Sequence, residues 1–175
     1  MVEISEVDKD ALRAIRTSVQ TLWQTCVDQF DEDGLRVLDI APQDHGGLKK
    51  LFGSAMVETL DIDPNSGADY ISDLCNMPLS VLHGRYDAIM CSEVLEHVLR
   101  PFDAVDHLQL MLKPGGVLFA SSPLNFRIHG PLPDCWRFTE HGLRSLFSKW
   151  SEISIDVIDS DRPLFPIHYT YRVKA

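Results

Sequence analysis

The sequence predicts an α/β domain with a mainly parallel sheet, helices on both faces and an antiparallel strand pair at its C-terminus. Short apolar runs typical of buried strands alternate along the chain with helical patterns, as in such folds. The last two strand patterns alternate apolar and polar residues with no helix between them, which indicates antiparallel pairing. A length of 175 residues favours one domain, with an N-terminal helix in residues 1–34 and an α/β core in residues 35–175.

The N-terminal segment is predicted to form one amphipathic helix over residues 8–30, ended near Gly34. Its apolar residues recur at steps of three and four: Leu12, Ile15, Val19, Leu22, Trp23, Cys26, Val27 and Phe30. Such a helix packs on the sheet by default, and covering the ligand pocket is the open alternative.

Strands are predicted at residues 35–41 and 55–63, with a short helix over 46–53 between them. Only about ten residues then separate Asp63 from Asp73. A parallel crossover through a helix needs about a dozen residues or more. The segment after the second strand is therefore predicted to be shortened, either to a loop or to a stub of edge strand.

The second half continues the alternation. A strand over 86–92 precedes a helix over 101–112, which begins at Pro101 and is broken by "KPGG". A strand over 117–123 follows, and then a helix over 139–150 with Thr139 as its N-cap. Residues 151–159 and 168–175 are the predicted antiparallel pair.

Composition excludes several classes of partner. A net charge of −10 with no basic cluster argues against nucleic acid, whose affinity comes mostly from Lys and Arg on phosphates. No apolar run reaches the length of a membrane span. Four scattered cysteines and an acidic N-terminus without a signal-peptide core predict a cytoplasmic protein.

Polar residues follow the predicted strands, where open α/β sheets bind ligands. They are Asp39, then Asp61 and Asp63, then Asp73 beside Leu74, then Ser92, Glu93, Glu96 and His97. No Arg or Lys compensates this row of carboxylates, so it suits a diphosphate poorly. A ligand with hydroxyls, amines and a positive charge suits it well, because a carboxylate accepts paired hydrogen bonds from a diol.

The segments "VLDIAPQDHGG", "TLDIDP", "SDLCNMPL", "YDAIMCSEVLEHV" and "LKPGGVLFASSP", in this order, resemble a class I S-adenosylmethionine-dependent methyltransferase of the small-molecule type over residues 35–150. The resemblance implies a Rossmann-like fold and S-adenosylmethionine as cofactor. It implies that Asp39 and Ser92 serve the methionine end and that Asp61, or alternatively Asp63, binds the ribose. Asp73 and the Leu74 backbone would contact the adenine.

The loop after the first strand departs from the family pattern. Ala41, Gln43 and His45 stand where glycines are usual, and Gly46 and Gly47 come later. Ala41 adds only a methyl group, so we expect the loop to bind cofactor still. A non-catalytic methyltransferase-like binding or regulatory subunit is the alternative. A nicotinamide dehydrogenase is disfavoured, because Gly-x-Gly-x-x-Gly is absent.

His97, together with Glu93 and Glu96, permits three interpretations. It packs near the cofactor, acts as a general base, or joins the two carboxylates in a metal site. The sequence favours the first and predicts no metal. His45 is expected to hold its loop, with substrate contact as the alternative.

The segment "NFRIHGPLPDCWRFT", residues 125–139, follows a strand on the ligand side and is predicted to bind the methyl acceptor. Its candidate acceptor-binding residues are Arg127, His129, Trp136 and Arg137, and His129 and His97 are the candidate catalytic residues. The acceptor would be a polar small molecule: a sugar, a nucleotide-sugar or a natural product. The alternative is a structural loop in which Arg137 pairs with Asp134. The sequence leaves a homodimer open.

Overall fold

A computed structural model describes residues 5–42, 47–78, 80–158 and 165–175. Within them the chain forms one seven-stranded sheet in the order β3-β2-β1-β4-β5-β7-β6. The strands are β1 (Arg36–Ile40), β2 (Met56–Asp61), β3 (Tyr70–Ile71), β4 (Tyr86–Ser92), β5 (Leu112–Pro123), β6 (Glu152–Val157) and β7 (His168–Lys174). The helices are α1 (Glu6–Phe30), α2 (Pro101–Met111) and α3 (Glu140–Leu146), with 3-10 turns at Leu48–Lys50 and Ser80–Leu82.

The strand order creates the crevice in which a ligand can bind. The first five strands pair in parallel, and β7 is antiparallel to both of its neighbours. The first strand, β1, lies inside the sheet. The chain then runs outward through β2 to β3 and crosses back to β4, which lies on the other side of β1. Connections therefore diverge above β1 and β4, which is where open α/β sheets bind ligands.

Helices cover both faces of the sheet, as the sequence predicts. α1 begins at Ser5, whose side chain accepts a hydrogen bond from the Asp8 amide. Leu22 and Cys26 of α1 pack with apolar residues of β1, β2, β4 and β5. α2 and α3 pack in the larger core on the opposite face, through Val105, Leu108, Leu143 and Leu146 among others. No helix in the described ranges combines the length and the apolarity needed to cross a membrane.

The shortened region after β2 is confirmed. The two residues of β3 pair with Leu60 and Asp61, so this strand is only a stub. Asp69 fixes the connection, because its carboxylate accepts from the Thr59 amide at 2.8 Å and from the Thr59 hydroxyl at 2.9 Å. A loop tied back in this way can reach the next parallel strand without a helix.

Three predicted boundaries are corrected. β5 begins at Leu112 rather than residue 117, because "KPGG" lies inside the strand at an irregularity in its pairing with β4. Gly115 there has φ +80°, a conformation open to glycine and rare for other residues. The helix predicted over 46–53 is only a 3-10 turn at Leu48–Lys50, as far as this segment is described. α3 ends at Leu146, four residues before Trp150.

Candidate active site

Two adjoining cavities lie at the carboxyl ends of β1, β2 and β4. The first, of about 590 Å³, is lined by Ala41, Asp61, Asp63, Asp73, Leu74 and His97 among others. The second, of about 700 Å³, is lined by Asp39, Ser92, Arg127 and His129 with several residues of α1. Ile40, Ala41, Pro42 and Glu93 line both. The structure therefore places every sequence-predicted cofactor residue on one of two contiguous cavities.

Asp39 is a buried carboxylate near the carboxyl end of β1. Its side chain accepts a hydrogen bond from the Leu48 amide at 2.9 Å, and only 3% of the residue is exposed. Burial raises the pKa of Asp39 to about 6, although the Leu48 hydrogen bond opposes that rise. A cation in the second cavity would find here a carboxylate with no positive partner among the described residues.

The backbone of Gly47 packs closely against the Asp39 carboxylate and Pro42. Its φ of +33° is rare for other residues, and a Cβ there would lie 2.5 Å from Asp39 Oδ2 and 2.7 Å from Pro42 Cβ. A late glycine is thus required for packing inside the loop. Gln43, Asp44, His45 and Gly46 lie outside the described residues.

Ala41 adopts the left-handed conformation that glycine would take at this position. Its φ is +52°, and its amide donates to the Leu60 carbonyl at 2.7 Å. A left-handed conformation costs an L-residue on the order of 1–2 kcal/mol. The loop therefore keeps a glycine-like backbone at this position without a glycine.

Two of the carboxylates that line the first cavity, Asp61 and Asp73, each accept one local hydrogen bond. Asp61 Oδ1 accepts from the Asp63 amide at 2.9 Å, and Asp73 Oδ1 accepts from the Cys75 amide at 2.8 Å. Within the described part of the chain, the second oxygen of each has no hydrogen-bond partner. Leu74, next to Asp73 in the chain, is buried, with 5% of its surface exposed. The first cavity therefore offers one free acceptor oxygen on each of these two carboxylates, together with the apolar surface of Leu74.

Glu93 joins the two cavities, and sequence reasoning missed the network behind it. Its φ is +54°, and its Oε1 accepts from Ser121 Oγ at 2.8 Å and from His168 Nε2 at 2.6 Å. His168 is fully buried on β7. The pair is separated by 75 residues in the chain, so no local pattern could have indicated it.

α1 both packs on the sheet and lines the second cavity. Trp23 Nε1 donates to Ser92 Oγ at 3.0 Å, which ties the helix to the end of β4. Leu12, Ile15, Arg16, Val19 and Trp23 all line that cavity. The N-terminal helix therefore packs on the sheet and also covers part of the second cavity.

The predicted acceptor loop divides into two parts. Arg127 and His129 line the second cavity, whereas Trp136 and Arg137 are absent from the described lining of either one. Arg137 donates to Asp134 and to the carbonyls of Trp136 and Arg127, and its guanidinium holds the pKa of Asp134 well below the usual range. Trp136 Nε1 donates to the Val98 carbonyl at 2.8 Å. These bonds brace the loop, and acceptor binding by these two residues stays a prediction.

His97, His129 and Glu96 form a compact cluster between the cavities. The two imidazole rings meet edge to face with centroids 4.9 Å apart. Glu96 is fully buried beside them, and burial together with the Glu93 charge raises its pKa well above the usual value. The two candidate catalytic residues are therefore neighbours, although they lie 32 positions apart in the sequence.

Comparison with known proteins agrees with this geometry. Residues 7–152 match the family described as "Methyltransferase domain". No curated protein matches the chain. Solved structures that share the fold include a SAM-dependent methyltransferase from Archaeoglobus fulgidus, at TM-score 0.62 and 16% identity over 92% of this chain and 94% of that one.

Two further structures share the fold and differ in their described activity. The [4+2]-cyclase SpnF has TM-score 0.67 and 14% identity over 88% of this chain and 79% of that one. The CurJ carbon methyltransferase has TM-score 0.63 and 16% identity over 82% of this chain, which corresponds to 49% of its own length. The family match over residues 7–152 shows that this chain belongs to the methyltransferase-domain family, and these solved structures show that it has the Rossmann-like fold of S-adenosylmethionine-dependent methyltransferases.

Proposed function

We propose that this protein transfers the methyl group of S-adenosylmethionine to a polar small molecule of the sugar, nucleotide-sugar or natural-product type. The observation that carries the proposal is the pair of contiguous cavities that meet at Ala41, Pro42 and Glu93. One cavity has the carboxylates that an adenosine group needs, and the other is open to a second, polar molecule. Methyl transfer requires such a pair, because cofactor and acceptor must meet at one point.

In this proposal the cofactor's adenosine occupies the first cavity. Asp61 binds the ribose diol, with Asp63 as the alternative, since the free oxygen of a fixed carboxylate is a strong acceptor. Asp73 accepts from the adenine amino group, while the apolar Leu74 lies against the ring. The methionine end extends past Ala41 toward Asp39 and Ser92, where the buried Asp39 carboxylate pairs with a positive charge of the cofactor.

The acceptor occupies the second cavity beside Arg127 and His129. The sulfonium is already a good leaving group, so the protein's main contribution is to hold the acceptor in line with the methyl carbon. Such positioning can contribute on the order of 7–11 kcal/mol. His129 and His97 lie at the junction of the cavities and act on the acceptor's proton.

Calorimetry and a transfer assay test the proposal together. The protein should bind S-adenosylmethionine and S-adenosylhomocysteine and should not bind NAD. It should then move a labelled methyl group to at least one member of a panel of sugars, nucleotide-sugars and hydroxylated natural products. A folded protein that binds neither adenosyl ligand would contradict the cofactor assignment. Binding without transfer to any acceptor would instead favour a non-catalytic role.

A further inference from the structure

We propose that Glu96, His97 and His129 bind a divalent first-row transition-metal ion. Each of the three residues offers one ligand atom, and these atoms all lie within 4.8 Å of one another. His97 Nε2 lies 3.7 Å from Glu96 Oε1, and His129 Nε2 lies 3.8 Å from the same oxygen. Two histidine nitrogens and one carboxylate oxygen therefore converge on a single point.

The outer nitrogen of each imidazole is already committed as a donor. His97 Nδ1 lies 2.9 Å from the Pro133 carbonyl, which can only accept, so Nδ1 carries the proton. His129 Nδ1 lies 3.2 Å from Asp134 Oδ2, and Asp134 is held as a carboxylate by Arg137. In the neutral form of each ring, Nε2 then presents a lone pair to Glu96. Metal-binding histidines are oriented in this way, by a carbonyl or carboxylate on the far nitrogen.

Glu96 supplies a second, independent observation. The residue is 0% exposed, and neither carboxylate oxygen has a hydrogen-bond partner in the described part of the chain. Burying a carboxylate without compensation is costly, and buried charges in proteins are paired or coordinate metals. The negative charge of Glu93 nearby adds to the need for a positive one. A single divalent cation among the three ligand atoms satisfies all of them at once.

The ligand set selects the kind of ion. Imidazole suits zinc, iron, nickel and copper, whereas magnesium and calcium prefer oxygen ligands. Three protein ligands leave coordination positions open, as in catalytic rather than structural zinc sites. His97 lines the first cavity and His129 the second, so the ion would lie at their junction. What it does there rests on the proposed function and replaces direct proton transfer to the histidines: with both imidazoles as its ligands, the ion would bind an oxygen of the acceptor and favour the loss of its proton.

The site is tested by metal titration of the free protein after EDTA treatment and dialysis. Calorimetry with zinc and nickel chlorides should show one ion per chain, and magnesium chloride should bind far more weakly. Glu96→Gln and His129→Ala should each reduce zinc affinity by at least about 100-fold, beyond the 10–100-fold typical of outer-shell changes. His141→Ala removes an exposed histidine on α3 and is the matched control, with affinity unchanged. Circular dichroism identifies any variant that fails to fold, and the other variant then carries the test.

Two outcomes would overturn the site: no zinc or nickel binding by folded, EDTA-treated protein, or equal affinity in the wild type and both folded variants. In either case bound protons, and not a metal ion, would neutralise the negative charge of Glu96. S-adenosylmethionine affinity is measured in the same samples. Intact cofactor binding without metal binding refutes the metal site alone, whereas metal binding without cofactor binding refutes the proposed function alone.

Discussion

The buried Asp39 carboxylate is destabilising to the empty protein at neutral pH and suited to a positively charged ligand. Its pKa of about 6 lies above the ordinary 3.8, because burial disfavours its charged form. The folded state therefore holds this proton more tightly than the unfolded state does. The contribution to stability is fully present below about pH 4 and is lost as pH rises through 6.

Asp39→Asn should consequently be more stable than the wild type at pH 7.5, and the difference should shrink as the pH falls toward 4. The amide oxygen can still accept from Leu48, so the loop keeps its hydrogen bond. S-adenosylmethionine affinity should fall in the same variant, because the negative charge is gone. Urea unfolding at several pH values and calorimetry measure the two effects. A variant that is less stable than the wild type at pH 7.5 would contradict the burial argument.

Asp61 is the residue assigned to the ribose. Asp61→Ala should weaken S-adenosylmethionine binding tenfold or more in calorimetry, because a hydrogen bond to a charged group contributes about 1.5–3 kcal/mol. Asp63→Ala is the matched comparison, since Asp63 lies two residues away and is exposed. If only the Asp63 variant loses affinity, the ribose role belongs to Asp63.

At the scale of elements, the loop after β1 depends on one glycine. Gly47→Ala would place a Cβ 2.5 Å from Asp39 Oδ2 in a backbone with φ +33°. We expect a lower melting temperature and weaker cofactor binding, since the strain falls on Asp39 itself. Gly53→Ala is the control, because its Cβ would meet only Asp31 Oδ2, at an ordinary 3.6 Å. Equal behaviour of the two variants would show that the loop tolerates rearrangement.

Within the segment 125–139, we expect Arg137 to contribute mainly to stability and His129 to contribute mainly to methyl transfer. Arg137→Ala removes the charged partner of the buried Asp134 side chain, which keeps the hydrogen bond from the His129 amide, and this change costs about 1–3 kcal/mol. The melting temperature of this variant should fall, while the Michaelis constant for the acceptor stays unchanged in the folded fraction. His129→Ala should instead lower turnover by roughly 10²–10⁴-fold at similar cofactor affinity. A raised Michaelis constant in a stable Arg137 variant would restore the acceptor-binding role that the sequence predicts.

Local patterns predict what depends on local sequence. The apolar run at residues 86–92 correctly predicts the bounds of β4. The short connection after Asp63 correctly predicts that no helix lies between β2 and β3. The start of β5 was missed because its glycine irregularity is stabilised by pairing with β4. The contact between Glu93 and His168, like that between His97 and His129, depends on which strands and loops the topology brings together.

Several carboxylates of this acidic molecule lie in the crevice above β1 and β4. Asp39, Asp61, Asp73 and Glu93 line the cavities there, in a chain with a net charge of −10. A cofactor of the proposed kind would bind these carboxylates only in the folded state, where the topology brings them together. Ligand binding should therefore be visible as stability of the entire domain.

S-adenosylmethionine and S-adenosylhomocysteine should raise the melting temperature of the domain. A ligand that binds only the folded state at 100 times its dissociation constant adds about 2.7 kcal/mol. For a domain of this size, that corresponds to roughly 5–10 °C. NAD at the same concentration should give no shift, and Asp61→Ala should give a smaller shift at equal ligand concentration. Differential scanning fluorimetry measures all four conditions. An equal shift with NAD would indicate that the crevice binds nucleotides without selectivity. No shift with either adenosyl ligand would contradict the proposal that the first cavity binds the cofactor.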